Sequence, residues 1–597
     1  MLPEPLGKLG RQFDEQLGQG VGRIEEWLSQ TGAVDETTAS TLGEMANAYR
    51  GLAENLATHP LRFMNLELGL LRSNARLGWY ALNRIIGRED TPVVEPLPDD
   101  HRFEGKDWRQ NLAFDLLVQF YLIQSRGLSE WADQIDPLPG AGHEQIRFYA
   151  RQLSSALAPS NFLPTNPEAL RLAWETRGRS LLDGARQFRE DLKRNPHHFN
   201  VSMTDRSAFQ VGENLATTPG KVVYQNEMMQ LIQYSPTTET VAKRPVLIVP
   251  PWINKYYILD LKPKNSLVRW LVSQGLTVFM ISWVNPGPSY KDKGFDDYLQ
   301  DGVLTAIDAV EKATGEKTIN AIGYCIGGTL LATALAWLAR KGRKPVASVT
   351  YLTTLLDFSH PGGIGVFINP HSIDALCRHM DRQGYLDGRN IAFTFNLLRE
   401  NDLFWSFWTR SYLKGEKPPA FDILYWNTDS TNLPARMHCF YLKEMYLHNR
   451  LVEPGALTVA GEPIDLGSID VPAFFLSTRQ DHIAKWHSTY LGAKVHGGDV
   501  RYVLAGSGHI AGVVNPPTRE KYGYWVNDHL EEDPDQWLEA AEHHNGSWWP
   551  HWLEWISPHL GAQVPARQPG DGKLEVLEDA PGSYVQTSAT EAAKAKG

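Results

Sequence analysis

The spacing of apolar positions changes near residue 215, and the change divides the chain. Before it, apolar residues recur at steps of three and four. Leu61-Arg62-Phe63-Met64-Asn65-Leu66-Glu67-Leu68, continuing through Leu70-Leu71, has that spacing, as do Asn111 to Tyr121 and Asn166 to Lys193. A stripe of that period predicts amphipathic helices. Asn166-Pro167 reads as a helix start, with proline in the first turn where no N–H is needed. Thr91 to Asp100 is rich in proline and acid and reads as a linker. The expectation for residues 1–214 is an all-helical N-terminal domain.

After residue 215, short β-branched runs alternate with helical patterns. Strands are predicted at Pro245-Val249, Leu276-Ile281, Ile319-Tyr324, Val346-Thr354, Val471-Thr478 and Val500-Ala505. Helices are predicted at Ser266-Gln274, Asp297-Ala313 and Gly328-Arg340. Such alternation signals a mainly parallel sheet flanked by helices. The rhythm fails between Phe358 and Cys439, where aromatic residues cluster instead: Phe404-Trp405, Phe407-Trp408, Tyr412, Phe421 and Tyr425-Trp426. A long insertion after a core strand reads as a cap or lid. The expected division is therefore a catalytic core over 215–357 and 440–565, a cap over 358–439, and a Gly-, Ala- and Glu-rich tail over 566–597 that is expected to be disordered.

Composition narrows the function classes. Of 597 residues, 42% are hydrophobic and 21% charged, as in a globular protein rather than a disordered one. A net charge of −11, with no basic stripe, argues against a nucleic-acid partner. Three cysteines, Cys325, Cys377 and Cys439, form neither a disulfide framework nor a CxxC metal motif, and a reducing compartment is expected. The sequence Met1-Leu2-Pro3-Glu4-Pro5 has no signal-peptide character, and no apolar run is long enough to span a membrane. A cytoplasmic protein is expected.

One cysteine has a distinctive setting. Gly323-Tyr324-Cys325-Ile326-Gly327 follows the strand Thr318-Ile319-Asn320-Ala321-Ile322 and precedes the helix opening at Gly328-Thr329-Leu330. This is the G-x-nucleophile-x-G elbow of an α/β-hydrolase fold. With 50 glycines in the chain, a given cysteine is flanked this way by chance in roughly 0.7% of cases. The turn needs glycines because a Cβ there would strike neighbouring chain. The following helix points its positive end at Cys325, which favours a thiolate. In this fold the order is nucleophile, acid, base. Asp481 lies just past the strand Val471-Pro472-Ala473-Phe474-Phe475-Leu476, and His509 lies in Gly506-Ser507-Gly508-His509-Ile510-Ala511-Gly512. Asp357, at the end of an earlier strand, is a rival acid, and the adjacent His482 reads as a hydrogen-bonded loop histidine. The oxyanion donors expected are the backbone N–H of Ile326 and one from the loop Pro250-Pro251-Trp252-Ile253-Asn254, with Ile253 the candidate.

Beyond the elbow, the chain closely resembles the polyhydroxyalkanoate synthases. The resemblance rests on Pro250-Pro251-Trp252-Ile253-Asn254-Lys255-Tyr256-Tyr257-Ile258-Leu259-Asp260-Leu261, Leu355-Leu356-Asp357-Phe358, Trp426-Asn427-Thr428-Asp429-Ser430-Thr431-Asn432, Gly508-His509-Ile510-Ala511-Gly512 and Gly546-Ser547-Trp548-Trp549-Pro550, and covers roughly residues 100 to 560. It implies catalytic Cys325, His509 and Asp481, a mobile cap, a homodimer and residence on polyester granules. Chain length and the helical N-terminus are similar to the class I enzymes, which prefer short-chain monomers. Trp252 is expected to narrow the pocket.

The implied reaction joins (R)-3-hydroxyacyl units from coenzyme A thioesters into a polyester and releases CoA. A thiol suits it: thioester exchange is nearly isoenergetic, so the enzyme-bound acyl group stays activated. No metal or redox cofactor is expected. Water must be kept from the acyl-enzyme, and the aromatic stretch Phe404 to Trp426 is the expected barrier. Lys255 or arginines near the cap are candidates for the CoA phosphates. A cysteine thioesterase or polyester hydrolase uses the same triad and is the alternative. A non-catalytic granule-coating protein is a further one.

Overall fold

The computed structural model describes residues 60–88, 90–98, 100–134, 143–194 and 200–594. The expected helices of the first 59 residues lie outside these. From there on the helical periodicity is realised as α1 (Pro60–Ile85), α2 (Leu112–Gln134), α3 (His143–Ala156), α4 (Pro167–Glu175) and α5 (Arg179–Arg194). Leu77 and Tyr80 of α1 share a core with Val118, Tyr121 and Leu122 of α2. The Tyr80 hydroxyl donates to Asp115 Oδ2 at 2.6 Å. Asn166 caps α4, its Oδ1 accepting from the Ala169 N–H at 3.0 Å, and Pro167 is the first helical residue. The stretch read as one helix from 166 to 193 is two, separated at Arg177 and Gly178, both with positive φ.

The apolar runs of the second half form an eleven-stranded sheet. Its strands are β1 (Gly220–Gln225), β2 (Met229–Tyr234), β3 (Val246–Val249), β4 (Val278–Trp283), β5 (Ile319–Tyr324), β6 (Val346–Leu352), β7 (Ala473–Thr478), β8 (Val500–Ala505), β9 (Tyr524–Val526), β10 (Glu542–His544) and β11 (Glu578–Asp579). Their spatial order is β10-β9-β8-β7-β6-β5-β3-β4-β2-β1-β11. The six strands β3 to β8 pair in parallel. Strands β3, β4 and β5 are buried at every position, as strands covered on both faces must be. The antiparallel β1, β2, β9, β10 and β11 extend the sheet at its two sides. They were not expected, because they are short or carry buried glutamines such as Gln230 and Gln233.

Three expectations need correction. First, the segment 358–439 is not one cap. Residues 358–392 and 420–439 belong to the compact unit that holds the sheet, whereas Phe393–Pro419 belongs to the unit formed by the N-terminal 205 residues. There Trp408 and Tyr412 pack edge-on against Phe188 of α5, and the Tyr412 hydroxyl donates to Asp191 at 2.6 Å. Their aromatic character reflects this helical core.

Second, the tail expected to be disordered is structured through residue 594. β11 pairs with β1, Tyr584 donates to the Asn226 carbonyl at 2.7 Å, and Val585, Ala589 and Ala592 are buried. Backbone pairing to an edge strand and a few small apolar contacts suffice here, and composition registers neither. Third, two of the cysteines are bonded. Helix α6 (Ile326–Arg340) follows β5; beyond it, Cys377 on α7 (Pro370–Gln383) joins Cys439 on α8 (Ala435–Phe440). The two are 62 residues apart in sequence and meet only through helix packing. Cys325 is the free thiol.

Candidate active site

Cys325 occupies the turn between β5 and α6, with φ 54° and ψ −126°. Such a conformation costs an L-residue about 1–3 kcal/mol and persists only where neighbours enforce it. They do so here. The Cys325 N–H donates to the Leu352 carbonyl at 2.8 Å, which ties the turn to the end of β6. A Cβ on Gly323 would sit 2.4 Å from the Gly328 Cα, and one on Gly327 would sit 2.3 Å from the Val249 carbonyl and 2.5 Å from that of Pro250. Both glycines are thus demanded by close backbone approach. The second contact also presses the start of α6 against the loop leaving β3. Ile326 opens α6, so its N–H has no acceptor within the helix. Ile253, half-buried against the main core, lies on the adjoining loop.

Acid and base follow β7 and β8. The two loops are zipped together: Arg479 N–H donates to the Ala505 carbonyl and Gln480 N–H to that of Ser507, each at 2.9 Å. His509 Nδ1 lies 2.6 Å from Asp481 Oδ2, with the imidazole almost fully buried and the carboxylate wholly so. Asp481 Oδ1 accepts from the N–H groups of Ile483 and Ala484 at 2.8 and 2.9 Å, and Oδ2 accepts from the Thr478 hydroxyl at 3.2 Å. Burial by itself disfavours an imidazolium at His509. The charges of Asp481 and Cys325, and hydrogen bonding to both, outweigh it and hold the His509 pKa well above the usual histidine range. His509 and Asp481 are therefore paired, and Tyr324, the neighbour of Cys325 on the elbow, stacks on the His509 ring.

Gly512, three residues past His509, is required by packing. A Cβ on Gly512 would lie 2.4 Å from Thr478 Cγ2. The indoles of Trp548 and Trp549 donate to the carbonyls of Gly512 and Val513 at 2.9 and 3.0 Å, and Tyr324 stacks on the His509 ring at 5.7 Å. The Gly546 to Pro550 motif thus braces the histidine loop.

Asp357 takes no part in this arrangement. Its Oδ1 accepts from the Asn449 side chain at 2.9 Å and from the Ser359 N–H at 2.8 Å. Lys255, offered as a phosphate ligand, is buried and ion-paired with Asp429 at 2.8 Å. The aromatics around the thiol are also not those expected. Tyr441 is buried and Tyr446 partly so; burial pushes both phenols up, and the charge of Cys325 pushes them further. Their rings lie 5.3 Å apart, with Phe358 4.9 Å from Tyr446 and Trp252 6.0 Å from Tyr441. Sequence reasoning missed the tyrosines because they lie on an irregular helical turn, Tyr441–Leu447, just past the aromatic stretch that drew attention.

The poly(3-hydroxyalkanoate) polymerase of Methylorubrum extorquens is 46% identical over 552 residues, spanning 92% of this chain and 91% of its own. This chain belongs to the poly(3-hydroxyalkanoate) polymerase family. The polymerase subunit of Cupriavidus necator is 44% identical over 532 residues, spanning 88% of this chain and 89% of its own. A family model described as the N-terminus of poly-beta-hydroxybutyrate polymerase matches residues 99–271, and one described as the alpha/beta hydrolase fold matches residues 244–516. Among solved structures, the enol-lactonase from Burkholderia xenovorans LB400 is similar at 14% identity with a TM-score of 0.26, covering 47% of this chain and 90% of its own. A score that low carries no argument, and the fold rests on the strand order and the family matches. As a poly(3-hydroxyalkanoate) polymerase, the chain is an acyltransferase that makes polyester on an α/β-hydrolase fold with a helical N-terminal region. No helix among its described residues is long and apolar enough to cross a membrane.

Proposed function

We propose that the polymerase builds its polyester through a thioester on Cys325, from short-chain (R)-3-hydroxyacyl-CoA such as 3-hydroxybutyryl-CoA. The observation that carries this reading is the buried pair His509–Asp481 at 2.6 Å beside a free thiol on a strained elbow. In the first step His509 holds the proton of Cys325, and Sγ attacks the acyl carbonyl. An Sγ–C bond forms, the C–S bond to CoA breaks, and the departing thiolate takes the proton from His509. In the second step a 3-hydroxyl group gives its proton to His509 and attacks the enzyme thioester. A C–O bond forms, the C–Sγ bond breaks, and the chain is longer by one unit. Asp481 keeps Nδ1 protonated, so that Nε2 faces the thiol, and stabilises the imidazolium. Ile326 and Ile253 N–H groups are the proposed oxyanion donors.

Thioester to thioester is nearly isoenergetic and thioester to oxoester runs downhill, so a thiol suits repeated transfer. CoA enters with the substrate, and the scheme uses no separate cofactor. Tyr441, Tyr446, Phe358 and Trp252 are the proposed apolar wall that keeps water from the acyl-enzyme. A cytoplasmic homodimer working at the surface of polyester granules completes the reading.

The test is to supply 3-hydroxybutyryl-CoA to the purified chain and follow CoA and acyl products together. CoA release matched by polymer is expected. Stoichiometric free 3-hydroxybutyrate without polymer means that water is the acceptor, and the chain is then a thioesterase.

A further inference from the structure

The loop that carries Ile253 is held by a charge pair with no role in the chemistry above. Lys255 Nζ lies 2.8 Å from Asp429 Oδ1, with side chains only 6% and 11% exposed. The other oxygen, Oδ2, accepts from the Tyr257 hydroxyl at 2.8 Å. The Trp426 indole donates to the Lys255 carbonyl at 2.7 Å, and Asn254 forms an antiparallel bridge with Ser430. Four contacts therefore bind residues 254–257 to residues 426–430. The second strip is itself anchored. Asn432 donates from its backbone to Asn285 Oδ1 and from its amide to the carbonyls of Pro286 and Ala589, and its Oδ1 accepts from the Gly388 N–H, all at 3.0–3.1 Å.

A buried ion pair is a poor source of stability, since desolvating both charges offsets most of their attraction, and apolar residues of the same volume often do as well. What the pair does provide is direction. A carboxylate that takes Lys255 on one oxygen and Tyr257 on the other fixes the rotation of the backbone between them. Two residues upstream is the N–H of Ile253.

We infer that Asp429 and Lys255 are positioning residues that set the oxyanion loop, holding the Ile253 N–H toward the carbonyl that Cys325 attacks. The inference rests on the thioester reading of Cys325. It also accounts for the Trp426 to Asn432 motif, which the chemistry leaves unused.

The experiment compares two reactions of the same thiol. Acylation by 3-hydroxybutyryl-CoA, read as the single-turnover burst of CoA, develops an oxyanion; alkylation of Cys325 by iodoacetamide does not. The variants are Asp429→Asn, Lys255→Met and the double variant Lys255→Met/Asp429→Leu, which leaves no charge stranded. Acylation is expected to slow about 10²–10³-fold, the cost of one oxyanion donor, with KM within about threefold of wild type and alkylation unchanged. Equal losses in both reactions overturn the inference, because the pair then acts on the thiol or the whole fold. So does wild-type acylation in the folded double variant, and so does failure of all three to fold. Absence of a CoA burst in the wild-type enzyme is a different result, seen before any variant is made, and sinks the thioester reading instead.

Discussion

Asp481→Asn replaces one oxygen of a carboxylate whose bonds are all assigned. Oδ1 is committed to two backbone donors, the N–H groups of Ile483 and Ala484. The amide of asparagine must keep its oxygen there, because its NH₂ would face two donors. That places NH₂ against His509 Nδ1, where the carboxylate sat at 2.6 Å. Nδ1 must then accept, Nε2 carries the hydrogen, and the ring can no longer take a proton from Cys325. The same substitution in a serine triad costs about 10⁴-fold in kcat. A thiol is more acidic than a hydroxyl and leans less on its base, so about 10³-fold is expected here, or ~4 kcal/mol. The assay is steady-state CoA release from 3-hydroxybutyryl-CoA, with circular dichroism to show that the fold is kept. Asp357→Asn, which alters only the Asn449 and Ser359 contacts, should cost less than about tenfold by the same comparison. A loss under tenfold for Asp481→Asn, or a larger one for Asp357→Asn, would refute the assignment of the acid.

Other outcomes follow from the same structure. Cys325→Ala should abolish CoA release while leaving the thermal transition in place, and retained turnover would remove Cys325 as the nucleophile. Gly327→Ala puts a methyl group 2.3 Å from the Val249 carbonyl; calorimetry should show a loss of about 3 kcal/mol or more, since backbone must move. His509 gains a raised pKa on folding, so its stabilising contribution is fully present below its unfolded pKa of about 6.5. That contribution is lost as pH rises through the folded value. Denaturant titrations should show this high-pH loss in wild type and less of it in Asp481→Asn. Deleting residues 577–597 removes β11 and the buried Val585, Ala589 and Ala592, and should lower Tm by several degrees, roughly 2–4 °C for each kcal/mol lost.

The elbow was legible because its constraints are local. A strand, a tight turn needing small residues and a helix lie in one stretch, and the structure reproduces Ile319–Tyr324 residue for residue. Asp481 and His509 were legible through chain order at strand ends. What stayed hidden depends on distant partners. Met229–Tyr234 is a wholly buried strand, yet its two glutamines mask the apolar run. The Cys377–Cys439 bond exists only because two helices meet. Lys255 looks like a surface cation until Asp429, 174 positions later in the chain, is packed beside it. Aromatic density around Trp408 suggested a water barrier, but aromatic residues mark any packed core, and only tertiary contact shows that Phe188 is its neighbour.

The excursion of Phe393–Pro419 into the N-terminal unit has a consequence for how the chain is made. At ribosomal speeds of about 5–20 residues per second, the first 205 residues wait roughly 10–40 s before their missing piece is translated. Much of the sheet emerges in that interval. The amino-terminal third therefore cannot finish folding first, as a separate leading domain would, and must close around a late-arriving segment. A fragment cut at residue 205 lacks Trp408 and Tyr412, the partners of Phe188. Expressed alone it should aggregate, and supplying residues 393–419 in the same polypeptide should rescue it.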